Sequence, residues 1–417
     1  MGAKEVLGAE GPDGSRVLNQ APSLAQTLAQ QATARIGAAI AARLDDFVSL
    51  RRDIHRHPEL AFKERRTAAL VAERLAAWGY EVSTGIAITG VVGTLRRGSG
   101  PKRLGLRADM DALPITEATG LPYASVNQGV MHACGHDGHT AALLAAAQYL
   151  ASEGEFDGTL QLIFQPAEEM GGGAKKMIAD GLFERFPVDA VFGMHNWPCV
   201  AAGHLGCVSG PAMASVDQAL ITVRGKGGHG AQPHETVDPI VVSAHLITAL
   251  QSVVARNVNP LDMGVVTVGS IHGGFAPNVI PDTVDLKITT RAFRPEVREL
   301  LRRRVPALAR AQAESFGATA EVDYRLGYPA VINHEAETAF AREVALETLG
   351  ADKVDAAFRP RTASEDFAYM LQARPGSYLF IGNGESASLH SPTYNFNDAI
   401  LAPAATYWAR LVERYLA

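Results

Sequence analysis

The run "HACGHDGH", residues 132–139, gathers three imidazoles, a thiol and a carboxyl into eight positions. Neither helix nor strand formation asks for such a cluster, whereas a divalent cation takes imidazole nitrogen, thiolate sulfur and carboxylate oxygen together. Cys134 and His136 offer a thiolate and an imidazole, and a helix starting near Gly138 would hold both on the loop before it. Glu168 and Glu169 stand side by side after an apolar run, in "FQPAEEMGGG". In an irregular turn, neighbouring carboxyls point apart, so one can face a cation while the other reaches an adjacent water. His195 closes the apolar run of "VFGMHNWP", and His390 lies far away in "LHSPTYNFND". Taken singly, each of these residues is more often a packed or solvated side chain. Converging on one sheet edge, they are the parts of a dinuclear hydrolytic centre.

Rival chemistries find no support. The chain carries no G-x-S-x-G elbow, no H-E-x-x-H and no P-loop, which speaks against serine hydrolysis, single-zinc proteolysis and kinase chemistry. A net charge of −6 and a pI near 6.1 leave no electrostatic footprint for nucleic acid, and "RRRVPALAR" reads as a solvated helix face. Three cysteines, Cys134, Cys199 and Cys207, suit a reducing compartment better than a disulfide framework, so a cytoplasmic protein is expected. No stretch is read as spanning a bilayer, and no membrane partner is expected.

The elements that must position these residues follow from the hydrophobic pattern. An Ala-rich helical segment runs from Ser23 to about His57, where Pro58 stops it, and an amphipathic helix follows from about Lys63 to Trp78. Short apolar runs, "GVVGTL", "RLGLRADMDAL", "GTLQLIF" and "DAVFGMH", alternate with helical stretches. That alternation predicts an α/β domain with a mixed sheet covered by helices, its polar residues at strand ends where open α/β sheets carry their sites. Between about Pro211 and Leu326 the order becomes strand, helix, strand, strand, helix, strand: a βαββαβ ferredoxin-like unit inserted into the larger domain. The expected organisation is a flexible N-terminal extension over residues 1–22, a catalytic domain over 23–210 and 327–417, and a small domain over 211–326.

With these parts in place, the sequence resembles the aminoacylase/carboxypeptidase metallohydrolases, in the amidohydrolase branch that contains hippurate hydrolases and plant auxin-conjugate hydrolases. The resemblance runs from about Arg51 to the C-terminus, on "RRDIHRHPEL", "LRADMDALP", "MHACGHDGHTAALL", "FQPAEEMGGGAKKMI", "GMHNWP", "GKGGHGAQPH", "GGFAPNVIPD", "TTRAF", "SEDFAYML" and "LHSPTYNF". It implies that Cys134, His136, Glu169, His195 and His390 bind one or two divalent ions (zinc, manganese, cobalt or nickel), with Glu168 as general acid/base. It implies supporting roles for Asp109 and Asp111, carbonyl polarisation by His229, and substrate binding by Asn278 and Arg291, the latter on a free carboxylate. The small domain then resembles a lid and dimerisation domain, making a homodimer or higher homo-oligomer the expected assembly. The implied activity is hydrolysis of N-acyl or N-aroyl amino acids. The alternatives are a dipeptidase or carboxypeptidase, and a non-catalytic binding protein on the same fold. Two departures, Ala363 in place of an expected glycine and Met170 interrupting the glycine run, bear on substrate choice.

Overall fold

Residues 24–417, apart from Ala356, are described by the computed structural model of the chain, so the expected extension over residues 1–22 lies outside them. The first helical segment is two helices, Leu24–Ala41 and Leu44–Arg56, and the next is Arg65–Ala77. The principal sheet has eight strands in the order Glu81–Ile86, Gly90–Arg97, Gly158–Gln165, Arg103–Asp109, Ala190–Pro198, Gly376–Gly384, Leu205–Cys207, Val354–Asp355. Its centre is parallel: Gly158–Gln165, Arg103–Asp109, Ala190–Pro198 and Gly376–Gly384 run the same way, while Gly90–Arg97 pairs antiparallel. These central strands are buried along nearly their whole length, which explains their continuous apolar runs. Asp109 and Gln165 are register partners at the carboxyl ends of adjacent strands, so the segments that follow both strands leave from one edge.

Helix His136–Ser152 is buried almost all round, and its run of alanines lets it pack closely against helix Leu401–Tyr415. A helix enclosed on every side needs no polar face, and its sequence shows none.

The insertion builds its own sheet and core. Strands Gly264–Gly273, Thr283–Ala292, Ser215–Arg224 and Thr319–Leu326 lie antiparallel in that order, covered by helices Pro239–Asn257 and Pro295–Glu314. The burial of Ser215–Arg224 alternates residue by residue, as a sheet with one covered face requires. A short antiparallel pair, Gly210–Met213 with Val331–Asn333, closes the two ends of the insertion. Contrary to the sequence reading, one helix here, Pro239–Asn257, is long and apolar enough by composition to cross a bilayer. Its Val242, Leu246, Leu250 and Val253 are instead packed into the core of this small sheet.

One helix of the larger unit carries a buried ionic clamp. Arg51 and His55, one turn apart on helix Leu44–Arg56, both reach Asp137 Oδ2, at 3.2 and 2.9 Å. Arg51 Nε also donates to Asp398 Oδ1 at 2.8 Å, and His55 Nε2 lies 3.3 Å from Glu117 Oε1. Burial works against a charged His55, but Asp137 and Glu117 outweigh it and raise its pKa to about 9. Because the folded value lies above the unfolded one, the associated stability is full below about pH 6.5 and is lost as pH rises through about 9. His55→Gln is therefore expected to cost about 2 kcal/mol near pH 6. The difference from wild type in urea midpoint should shrink steadily by pH 10, and a pH-independent difference would refute the charged pair.

Candidate active site

Cys134 and His136 flank Gly135, whose φ of 94° belongs to glycine. A Cβ there would meet Asn196 Oδ1 at 2.3 Å, so the tight turn that presents both side chains depends on its absence. His136 Nδ1–H donates to the Asp111 carbonyl at 2.9 Å, and His195 Nδ1–H donates to the Asn196 carbonyl at 2.6 Å. A carbonyl can only accept, so each imidazole turns the lone pair of Nε2 toward the centre. His195 Nε2 lies 3.3 Å from Cys134 Sγ. Glu169 Oε1 lies 3.2 Å from His390 Nε2 and 4.0 Å from His136 Nε2.

His136 Nε2 is buried and finds no hydrogen-bond partner, an arrangement worth roughly 1–3 kcal/mol of instability unless something else satisfies it. The donor atoms of Cys134, His136 and His195 lie within 4.8 Å of one another, as do those of Cys134, Glu169 and His390. Two donor triads that share a thiol fit one or two divalent cations of the kind that accept mixed sulfur, nitrogen and oxygen ligands.

The electrostatics point the same way. Burial, then the carboxylates of Glu169 and Glu168, hold the Cys134 thiol well above its usual range, so a thiolate there calls for a nearby cation. Burial, then the neighbouring His139, keeps His195 neutral, the state in which imidazole ligates. At His136 burial resists the charge, but Asp109 and Asp111 outweigh it and lift the pKa to about 10; cation binding there displaces a proton. Glu168 is pushed well above the carboxylate range by burial first, then by Glu365, Glu169 and Asp366.

Asp111 organises the turn that carries the two glutamates: its Oδ1 accepts from Glu168 N at 3.1 Å and its Oδ2 from Glu169 N at 2.9 Å. Asp109 is held between His139 Nδ1, at 2.6 Å from Oδ1, and Arg107 Nη1, at 2.7 Å from Oδ2. Arg291 comes from the inserted sheet and donates through Nη1 to the Thr362 carbonyl at 3.1 Å. A cavity of about 720 Å³ is lined by Cys134, Glu168, Glu169, His195, Arg291 and His390, with His136 buried behind it. His229 and Asn278 are absent from its walls. They sit together on an exposed two-stranded ribbon of the insertion, where His229 pairs with Val279. Ala363 lines the cavity, whereas Met170 is exposed and does not.

Sequence reasoning assigned no role to several residues that the fold brings here. His139 is buried one helical turn beyond His136, its Nε2 2.6 Å from Asn196 Oδ1. Glu365 and Asp366 are buried beside Glu168, with Arg107 Nη2 donating to Glu365 Oε1 at 2.8 Å. The acidic pair set directly before the apolar "FAYML" was a readable signal, since a charged pair there has to be either solvated or matched.

Comparison with known proteins follows the same lines. The sequence profile of Peptidase family M20/M25/M40 matches residues 105–414. The chain is 46% identical over 371 residues to a hippurate hydrolase of Campylobacter jejuni, covering 89% of this chain and 97% of that protein. It is 42% identical over 370 residues to an N-acetyl-L-cysteine deacetylase of Bacillus subtilis, covering 88% of each. Among solved structures it resembles a Bacillus subtilis protein described as a dinuclear metal-binding peptidase of the M20 family. That match has a TM-score of 0.78 at 34% identity, over 90% of this chain and 99% of the other.

Metal analysis of the purified protein is expected to find one or two divalent ions per chain. Cys134→Ser should weaken retention at least about tenfold in competition with a chelator, because a hydroxyl is far less acidic and a harder donor than a thiol. Retention equal to wild type would remove Cys134 from the donor set.

Proposed function

Because the chain belongs to the M20/M25/M40 peptidase family of metallohydrolases, we propose that it cleaves the amide bond of N-acyl or N-aroyl amino acids, releasing a carboxylic acid and the free amino acid. In this reading residues 23–210 and 327–417 form the catalytic domain and residues 211–326 the lid. The observation that carries it is the composition of one cavity: a cluster of thiol, imidazole and carboxyl donors, the buried carboxyl of Glu168 and a guanidinium open onto the same space from two separate sheets.

Cys134, His136, Glu169, His195 and His390 would hold the divalent ions, and Asp109 and Asp111 would orient their surroundings. When bound, such ions supply Lewis acidity toward water and toward the amide carbonyl. Glu168 takes a proton from the attacking water at a carboxylate oxygen and returns it to the leaving nitrogen. Its proton affinity, raised by burial and by Glu365, Glu169 and Asp366, favours the step in which it carries the proton to the leaving nitrogen. Arg291, already half-buried at the cavity wall, offers a planar fork to the carboxylate of the amino-acid half. Trp197, Met213 and Leu389 give the cavity an apolar wall that suits an acyl or aroyl group.

His229 polarises the scissile carbonyl and Asn278 binds substrate from a second copy of the chain. Both are exposed and outside the cavity of their own subunit. The lid also offers a surface for pairing: Gly264–Gly273 is an edge strand, and Ile240, Ile271 and Phe275 are exposed around its end.

Two experiments test this reading. Glu168→Gln should keep its metal and its substrate affinity while turnover of an N-benzoyl or N-acetyl amino acid falls by about two to four orders of magnitude. Loss of metal in that variant, with Glu169→Gln still loaded, would reverse the two roles. For the shared site, His229→Ala and Glu168→Ala homodimers should each be nearly inactive. Mixed under verified subunit exchange, they should recover about a quarter of wild-type activity, because about half of the dimers then contain one intact site. No recovery would place His229 outside the neighbouring site.

A further inference from the structure

The turn Pro166-Ala167-Glu168-Glu169 is held from below by two carboxylates, and only one of them, Asp111, lies near the metal donors in the chain. The other is Glu64, at the N-terminus of helix Arg65–Ala77 and fully buried. Its Oε1 accepts from Ala167 N at 2.9 Å and from Phe62 N at 3.0 Å, while its Oε2 accepts from Thr89 Oγ1 at 2.5 Å. Three successive amides, those of Ala167, Glu168 and Glu169, thus end on Glu64 and on the two oxygens of Asp111.

This capture matters because the turn is not one the backbone adopts readily. Ala167 has a φ of 55°, in the left-handed region that alanine disfavours by about 1–2 kcal/mol. Phe62, with a φ of 60°, is also left-handed, and its ring lies where a Cβ on Gly171 would come within 2.5 Å. The segment from Phe62 to Glu64 therefore clasps both ends of the glutamate turn, packing against its glycines and accepting from its first amide. The third partner, Thr89, belongs to the turn before strand Gly90–Arg97, and Gly90 abuts Pro166. Glu64 is the point where these three loops meet.

We propose that Glu64 is a positioning residue for hydrolysis: by accepting from Ala167 N it fixes the turn so that Glu168 and Glu169 point to different tasks. The role is geometric. Burial raises the Glu64 carboxyl to about 7, yet its protonated and ionised forms both keep Oε1 as an acceptor, so the clasp survives either state. An amide side chain of the same length would keep that oxygen as well. A carboxylate one methylene shorter would keep the charge but draw the acceptor back by more than a hydrogen bond tolerates.

The inference rests on Glu168 as the acid/base, and its test separates the two ideas. Kinetics, metal content and amide exchange at Ala167 are compared for metal-loaded wild type, Glu64→Gln, Glu64→Asp and Glu64→Leu. Glu64→Gln should keep kcat within about threefold and leave the Ala167 amide protected. Glu64→Asp should lower kcat by about 10- to 100-fold, with a much smaller change in KM, and speed exchange at Ala167, since a misplacement of about 1 Å can remove that much rate. Glu64→Leu should behave like Glu64→Asp if it folds, and the Gln and Asp pair decides the matter if it does not. Retained activity in Glu64→Asp, or lost activity in Glu64→Gln, overturns the proposal. If wild type turns over no N-acyl amino acid, the functional reading fails on its own, while exchange at Ala167 still shows whether Glu64 holds the turn.

Discussion

Six carboxyl groups, those of Asp109, Asp111, Glu168, Glu169, Glu365 and Asp366, crowd the carboxyl edge of the central sheet, and the fixed cation in contact with them is Arg107. Its guanidinium donates to Asp109, Glu365 and Asp366 from inside the sheet. Even with His136, which Asp109 and Asp111 raise to about 10, the buried acid remains in excess. That excess raises the proton affinity of Glu168 and Asp366, and it leaves donor atoms turned toward a space that suits a divalent ion. The raised proton affinity of Glu168 and, in the proposed function, the centre's affinity for cations are therefore two outcomes of one excess of buried charge.

That imbalance is sustained because the backbone around it is tightly held. Asp111 accepts from His136 and from two successive amides, Glu64 from a third, and Asp137 anchors the helix start behind His136 through Arg51 and His55. Removing water from a charged site makes each of these contacts stronger, and it also makes each missing partner more costly. The ionic clamp at Asp137 is balanced by residues of the chain itself. On the opposite side of the His136 loop, in the proposed function, divalent ions would supply the balance.

Much of this was legible in the sequence, for reasons that differ by element. The parallel strands appear as uninterrupted apolar runs because both of their faces are covered, and the βαββαβ order of the insertion follows from period-two alternation in strands such as Ser215–Arg224. Cys134 and His136 stood out because neither helix nor strand formation asks for so dense a cluster of donors, and Glu168, Glu169 and His195 because they close apolar runs where open α/β sheets carry their sites. The break between Leu24–Ala41 and Leu44–Arg56 was hidden, since neither glycine nor proline marks it. Helix Pro239–Asn257 was read as unremarkable although its composition suits a bilayer, because what covers its apolar face is another part of the chain. Glu64, Arg107 and His139 were illegible for a common reason: each acts through a partner tens to hundreds of residues away, and a single charged residue in a sequence does not show whether it is solvated or matched.

His229 and Asn278 lie on the exposed ribbon of the insertion, apart from the cavity. A carbonyl-polarising imidazole set permanently against the metal donors would compete as a ligand for the very ions they hold. In the proposed function His229, mounted on an exposed ribbon of a separately folded sheet, stays out of the donor set and reaches the cavity of a second copy of the chain. Arg291 shows the complementary arrangement: it lies on the same inserted sheet yet is tied to the Thr362 carbonyl at the cavity wall, and a guanidinium has no lone pair with which to ligate. On that reading the inserted domain brings a cation to the cavity within one chain and keeps its imidazole for the other, a division that matches the chemistry of the two side chains rather than their distance along the sequence.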